Sequence, residues 1–182
     1  MIITETKLKG CFIIQPKVFQ DKRGYFFESF NQQQFNRFTN TSTNFVQDNE
    51  SFSSKGVLRG LHFQLGEYAQ AKLVRVVKGK VLDVAVDIRE NSNTLGKYVA
   101  VELSDENRKQ LFVPRGFAHG FIVLSETAIF SYKCDNYYNK GSEGGIIYND
   151  PVLNIDWQLS SNDFSLSEKD LLLPKFDNAR LW

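Results

Sequence analysis

Histidine and cysteine are scarce in this chain, two of each among 182 residues, and each scarcity removes a class of function. Cys11 and Cys134 lie far apart, in neither a CxxC pair nor a zinc-ligand spacing. They read as small buried hydrophobes in a reducing compartment, not as a disulfide framework or a metal clip. His62 and His119 exhaust the imidazoles, with no His-x-His pair, so no metal site is expected where several histidines plus a carboxylate are the usual set. Charge of one sign is also missing. Lysine and arginine total 22 against 21 acidic residues, with no basic cluster, so there is no broad positive field for nucleic acid or an anionic membrane. No apolar run is long enough to span a bilayer, and Met1-Ile2-Ile3-Thr4-Glu5-Thr6 lacks a basic region leading into a long apolar stretch. A cytoplasmic location is the expectation. Glycine-rich dinucleotide and phosphate loops are absent, as is a Gly-x-Ser-x-Gly elbow. Cofactor-free acid/base chemistry is what these absences leave.

Aromatic residues, by contrast, are plentiful, with sixteen Phe and seven Tyr, and with the many valines they suit pleated, half-buried surfaces. Lys72 to Val77 and Val81 to Ile88, joined at Lys78-Gly79-Lys80, read as a hairpin whose second arm alternates Leu82, Val84, Val86 and Ile88 against Val81, Asp83, Ala85 and Asp87. Further strands are expected at Tyr98 to Leu103, Gln110 to Val113, His119 to Leu124 and Ala128 to Cys134, separated by polar turns. Helices are few. Gln32 to Phe38 suits one, and Ser167-Glu168-Lys169-Asp170 opens another with a capping pattern. An all-β sandwich or jelly roll in one domain spanning 1–182 follows, with short peripheral helices.

The two histidines each follow an Arg-Gly pair, in Arg59-Gly60-Leu61-His62 and Arg115-Gly116-Phe117-Ala118-His119. Imidazole exchanges a proton near neutral pH, and arginine holds anions. Strict alternation puts Leu58, Gly60, His62 and Gln64 on one face and Val57, Arg59, Leu61 and Phe63 on the other. Lys72 stands in the apolar run Ala71-Lys72-Leu73-Val74, where an inward lysine would be desolvated unless it met an anion. An outward, solvated lysine is the alternative. Tyr132 carries the same two readings, a packed ring with a bonded hydroxyl or a proton donor.

At these segments the sequence resembles the dTDP-4-dehydrorhamnose 3,5-epimerases, cupin-type jelly-roll enzymes. The likeness extends through Asp21-x-Arg23-Gly24-x-Phe26-x-Glu28, Phe45-Val46-Gln47-Asp48-Asn49, Gly56 to His62, Gln70 to Val74, Asp83 to Asp87, Gly116 to Phe121, Tyr132-Lys133, Asn149-Asp150-Pro151 and Ser167 to Asp170. The resemblance implies His62 as base, Asp170 as the carboxylate that orients it, Tyr132 as the acid on the opposite face of the sugar, and Lys72 at the C4 oxygen. It also implies that Arg59, Arg23 and Lys169 meet the diphosphate or nearby oxygens, that Glu28, Gln47 and Asn49 address the nucleotide, and that His119 and Glu143 line the pocket. No cofactor is implied, and the expected assembly is a homodimer with strand exchange acting on a nucleotide-sugar. Two departures, Leu65-Gly66-Glu67-Tyr68 without the usual proline pair and Phe52 in place of a basic residue, are expected in loops near the site. Asp170 also fits a plain helix-cap role.

Inverting a carbon beside a ketone requires a proton taken from one face and returned to the other, with the intervening charge on the carbonyl oxygen. Each pKa unit of mismatch between the C–H and the base costs about 1.36 kcal/mol, so a lone histidine is insufficient and the oxyanion must be held. A C3-only epimerase, a metal-dependent jelly-roll enzyme and a non-catalytic sugar-binding module are the rival readings.

Overall fold

The computed structural model describes residues 1–182. Thirteen strands form three antiparallel sheets. The first is six-stranded in the order β1 (Ile2–Glu5), β2 (Phe12–Gln15), β10 (Gln110–Val113), β7 (Lys72–Lys78), β12 (Thr127–Cys134) and β5 (Gln47–Ser54). The second is five-stranded in the order β13 (Glu143–Gly145), β6 (Leu58–Gln64), β11 (Phe117–Val123), β8 (Lys80–Asp87) and β9 (Tyr98–Ser104). A separate small hairpin pairs β3 (Phe19–Asp21) with β4 (Gly24–Phe26). Helix α1 covers Gln32–Thr39 and α2 covers Glu168–Leu171. No helix is long and apolar enough to cross a membrane.

Between β5 and β12 the pairs nest: β5 with β12, β6 with β11, β7 with β10, and β8 with β9. That is a long hairpin folded over on itself, the jelly roll the sequence leads one to expect. One local expectation fails. Lys72–Lys78 and Lys80–Asp87 do not pair with each other; they belong to opposite sheets, and Gly79 carries the chain across at φ +83°. A side chain at Gly79 would meet the Thr127 carbonyl at 2.1 Å, so the crossing needs glycine. Burial explains why a simple hairpin loses. Val81 to Asp87 are buried throughout, on both faces, so β8 needs a strand on either side and cover above and below.

Three apolar clusters result. Val74, Val76, Ala85, Val101, Phe121 and Phe130 pack between the two sheets. On the outer face of the five-stranded sheet, Leu82, Val84, Val86 and Ile122 meet Ile146, Leu153, Trp157 and Phe176 of the C-terminal segment. On the other outer face, Phe35 of α1 packs on Leu73 and Phe112. Cys11 and Cys134 are unpaired and buried. Burial pushes their thiols up, to about 12 and about 11 respectively, which makes both inert at neutral pH.

At the end of β8 the wholly buried Asp87 carboxylate accepts from Arg89 Nε and Nη2, Ser92 Oγ and Thr94 Oγ1 at 2.5–2.8 Å. Burial alone raises the carboxyl pKa; the donors from Arg89, Ser92 and Thr94 outweigh it and bring the value to about 2. Because the folded pKa lies below the unfolded one near 3.9, this group stabilises the fold above that pH, and the contribution is lost as pH falls through about 2. Asp87→Asn is therefore expected to lower stability by about 2–3 kcal/mol at neutral pH. In urea melts the gap between wild type and variant narrows steadily as the pH is taken down towards about 2.

Candidate active site

Strand β6 sets the geometry. Pairing with β11 runs Leu58 opposite Ile122 and Arg59 opposite Phe121, then shifts so that His62 faces His119. Such a shift reverses the parity of the pleat. Arg59 and His62, which alternation sends to opposite faces, therefore line one cavity. Tight contact of the two strands requires glycine here: a side chain at Gly60 would stand 2.6 Å from Gly120 Cα.

The cavity, about 450 Å³, lies between the sheets and is lined by His62, Arg59, Lys72, His119, Tyr132 and Asp170, with Lys169, Ser51, Phe121 and Phe130 among its other walls. His62 Nε2 lies 2.5 Å from Asp170 Oδ1. Asp170 is almost fully buried, yet belongs to a single turn of helix whose start is capped by Ser167, the Oγ of which accepts from the Asp170 amide. Serine takes the capping role, and the Asp170 carboxylate is left for the imidazole. Burial pushes that carboxyl up, but the bonds from His62, Ser167 and the Gly60 backbone outweigh burial and hold it below the usual range. An ionised carboxylate can only accept, so Nε2 carries the proton and Nδ1 is the basic atom of the ring.

Opposite, on the six-stranded sheet, Lys72 begins β7 and Tyr132 lies on the neighbouring β12, with the Lys72 ammonium 5.9 Å from the tyrosine ring centroid. The inward reading of Lys72 is the correct one. It has no ion-pair partner, and burial lowers its pKa against the opposing influence of Cys134 and Asp83. Tyr132 is pushed up, chiefly by burial and then by Cys134, with Arg59 opposing. A cation without a counter-ion and a hydroxyl that keeps its proton thus face the His62 imidazole across the cavity.

Arg59 Nε donates to Ser53 Oγ at 3.2 Å and has no carboxylate partner. Lys169 is engaged by Glu143 at 2.6 Å at the exposed mouth. Glu143 is pulled down, because donors from Lys169 and Tyr138 outweigh burial, and it reaches the site only through that lysine. His119 Nε2 lies 2.9 and 3.1 Å from the two oxygens of Asp83, a wholly buried carboxylate to which the resemblance assigns no role. Its signal was visible as an acidic residue in the apolar alternation of Val81, Asp83 and Ala85. No three His, Cys, Asp or Glu side chains come together in a cluster suited to a metal ion.

Several expected site residues lie elsewhere within this chain. Arg23, on the β3–β4 hairpin, is 91% exposed and paired only with Asp21. Glu28 accepts from Asn31 and Gln34 near the start of α1. Gln47 and Asn49 bond each other on β5, Asn49 also reaching Cys134 Sγ, outside the cavity wall. The two departures from the family pattern are likewise away from it. Phe52 is exposed in the middle of β5, not in a loop, because its odd-numbered neighbours Ser51 and Ser53 take the inward face. Residues 66–68 form a single 3-10 turn, and neither segment lines the cavity.

Comparison with known proteins bears directly on this arrangement. The family model for dTDP-4-dehydrorhamnose 3,5-epimerase matches residues 5–178. The chain is 54% identical to the dTDP-4-dehydrorhamnose 3,5-epimerase of Salmonella typhimurium over 181 residues, covering 100% of this chain and 98% of that protein. The crystal structure of the Elizabethkingia anophelis enzyme is 58% identical, with a TM-score of 0.95 over 98% of this chain and 97% of that one. A Legionella pneumophila dTDP-6-deoxy-D-glucose-3,5-epimerase, in complex with dTDP-4-keto-L-rhamnose, is 48% identical with a TM-score of 0.93, covering 97% of this chain and 93% of that one.

A cation kept desolvated without a partner weakens the fold, since it binds its proton less readily folded than unfolded. Lys72→Met is expected to raise the thermal midpoint by at least about 2 °C, a scale set by about 2–4 °C per kcal/mol for a chain of this size. Differential scanning calorimetry checks it; an unchanged or lowered midpoint contradicts the burial argument.

Proposed function

This chain belongs to the dTDP-4-dehydrorhamnose 3,5-epimerase family, and from that premise we propose how its own residues divide the reaction. The activity is inversion of C3 and C5 of dTDP-4-dehydro-6-deoxy-D-glucose to give dTDP-4-dehydro-L-rhamnose. The observation carrying the assignment of roles is the opposition of the sheets: the His62–Asp170 pair on one side of the cavity, Lys72 and Tyr132 on the other.

His62 Nδ1 takes the proton from the carbon beside the ketone, and Asp170 holds the ring in the tautomer that leaves Nδ1 free. The electron pair of the broken C–H bond moves into the ring carbon–C4 bond, and the carbonyl pair onto the C4 oxygen. Lys72 faces that oxygen as a desolvated cation, where an electrostatic partner counts for more than in water. Tyr132 returns a proton from the other side, and its raised pKa keeps the phenol protonated at neutral pH. The tyrosinate regains its proton from solvent, and the imidazolium loses its own, before the second carbon is treated in the same way.

Arg59, with Lys169 at the mouth, suits the diphosphate, His119 completes the wall of the sugar site, and Glu143 acts by holding Lys169. Arg23 meets the diphosphate or nearby oxygens, and Glu28, Gln47 and Asn49 address the nucleotide, in a homodimer with strand exchange. In support, the β3–β4 hairpin exposes Phe19, Tyr25 and Phe26 together with the solvent-facing Arg23, an apolar surface that one chain leaves uncovered. The reaction runs in the cytoplasm, without a cofactor, in a single unit of residues 1–182.

Incubated with the dTDP-4-keto-6-deoxyglucose substrate in D₂O, the wild type is expected to place deuterium at C3 and C5. His62→Ala is expected to slow this by about 10²–10⁴. NMR of the product reads both positions; absence of label in the wild-type product overturns the assignment. Binding energy from the remote nucleotide positions the sugar, so the free 4-keto sugar is expected to turn over poorly. Equal kcat/KM with and without dTDP refutes that part.

A further inference from the structure

Asp83 is the residue whose presence packing cannot explain. It stands on the inward face of β8 between Val81 and Ala85, opposite Val101 on one neighbouring strand and Phe121 on the other. Its side chain is wholly buried, and its hydrogen-bond partner is the His119 ring, which reaches both of its oxygens. Asp87 is held by Arg89 and two hydroxyls, whereas Asp83 has the His119 ring alone to offset its loss of water, and an apolar pair of similar volume in such a place is often neutral or more stable. Retaining it points to the site. His119 lines the same cavity as His62, sits directly opposite it in the β6–β11 register, and is stacked 6.2 Å from Phe130. The cavity is thus flanked by two imidazole–carboxylate pairs of the same construction, each joined through Nε2, and only the first has a role in the proton transfers described above.

We propose that Asp83 is a positioning residue for the epimerisation: it fixes the ring of His119 and places the proton on Nε2, so that Nδ1 is an acceptor for a hydroxyl of the bound sugar. This role for Asp83 rests on the epimerase reading of the cavity. An acceptor on the His119 wall complements Arg59 and Lys72, which can only donate, and Phe130 and Asp83 together leave the imidazole a single orientation. Replacing the carboxylate by an amide removes that discrimination. The Asn oxygen accepts from Nε2–H, but its NH₂ group equally well donates to an unprotonated Nε2, which moves the ring proton to Nδ1 and turns the acceptor into a donor.

Nitrogen-15 NMR of histidine-labelled wild type reads the tautomer directly, and Asp83→Asn, His119→Gln and the double variant complete a cycle in kcat and KM. The wild type is expected to show one His119 tautomer protonated at Nε2. Asp83→Asn is expected to retain or raise thermal stability, to lose the single tautomer, and to lower kcat/KM by about 10- to 100-fold, the scale on which removing the outer partner of a metal-ligating histidine lowers activity. In the His119→Gln background the same change is expected to have no further effect. A wild-type ring protonated at Nδ1, undiminished kcat/KM in Asp83→Asn, or a loss that persists undiminished in the His119→Gln background overturns the proposal. Deuterium entering C3 and C5 with the wild type while any of these holds overturns the role of Asp83 alone; no deuterium with the wild type overturns the epimerase assignment and this inference together.

Discussion

The bond between His62 and Asp170 joins two parts of the chain far apart in sequence at the cavity. His62 comes from an inner strand of the five-stranded sheet; Asp170 comes from a helical turn that follows the long C-terminal segment. Val57 forms a parallel bridge with Ser165, just before that turn, and a side chain at Gly56 would stand 2.0 Å from the Asp163 carbonyl, so the segment is pressed against the start of β6. Ile146, Leu153, Trp157 and Phe176 seal the outer face of the same sheet. Apolar burial on the outside of the sheet thereby holds a carboxylate in place for a histidine that points inside it.

Two apolar sheets around a few ionisable groups set the electrostatics. Lys72 and Tyr132 are partly buried in the cavity wall, and desolvation shifts them in opposite senses, the amine down and the phenol up. Both shifts disfavour charge before substrate binds. In the proposed reaction a developing oxyanion would supply the counter-charge that Lys72 lacks, so the interaction would strengthen along the reaction coordinate, as differential stabilisation of a transition state requires. On these proposals fold stability and turnover pull against each other at Lys72 and at Asp83.

How much of this was legible in the sequence depended on whether a strand was buried on an apolar face. Gln110 to Val113 and Ala128 to Cys134 announced themselves because their inward residues are apolar. Strand β5 did not, since Gln47, Asn49, Ser51 and Ser53 put polar atoms on its inward face, and Gln-Asp-Asn-Glu reads as a loop. The pairing of β7 with β8 was misread because a local turn looks the same whether the chain folds back within a sheet or crosses to the next. Likewise, no periodicity shows the shift in register that brings Arg59 beside His62. Asp170 is the instructive case. Sequence offered a cap or a catalytic partner, and the structure gives the cap to Ser167.

Opposed proton handling across the cavity is the central claim, and Tyr132→Phe in D₂O tests it most directly. With the base and its carboxylate intact, this variant is predicted to exchange the proton beside the ketone for deuterium while returning it to the face it left, giving labelled sugar of unchanged configuration. NMR of the recovered nucleotide-sugar distinguishes label from inversion. Inverted product formed by Tyr132→Phe at the wild-type rate would contradict the account, because the second proton would then come from somewhere other than the opposite sheet.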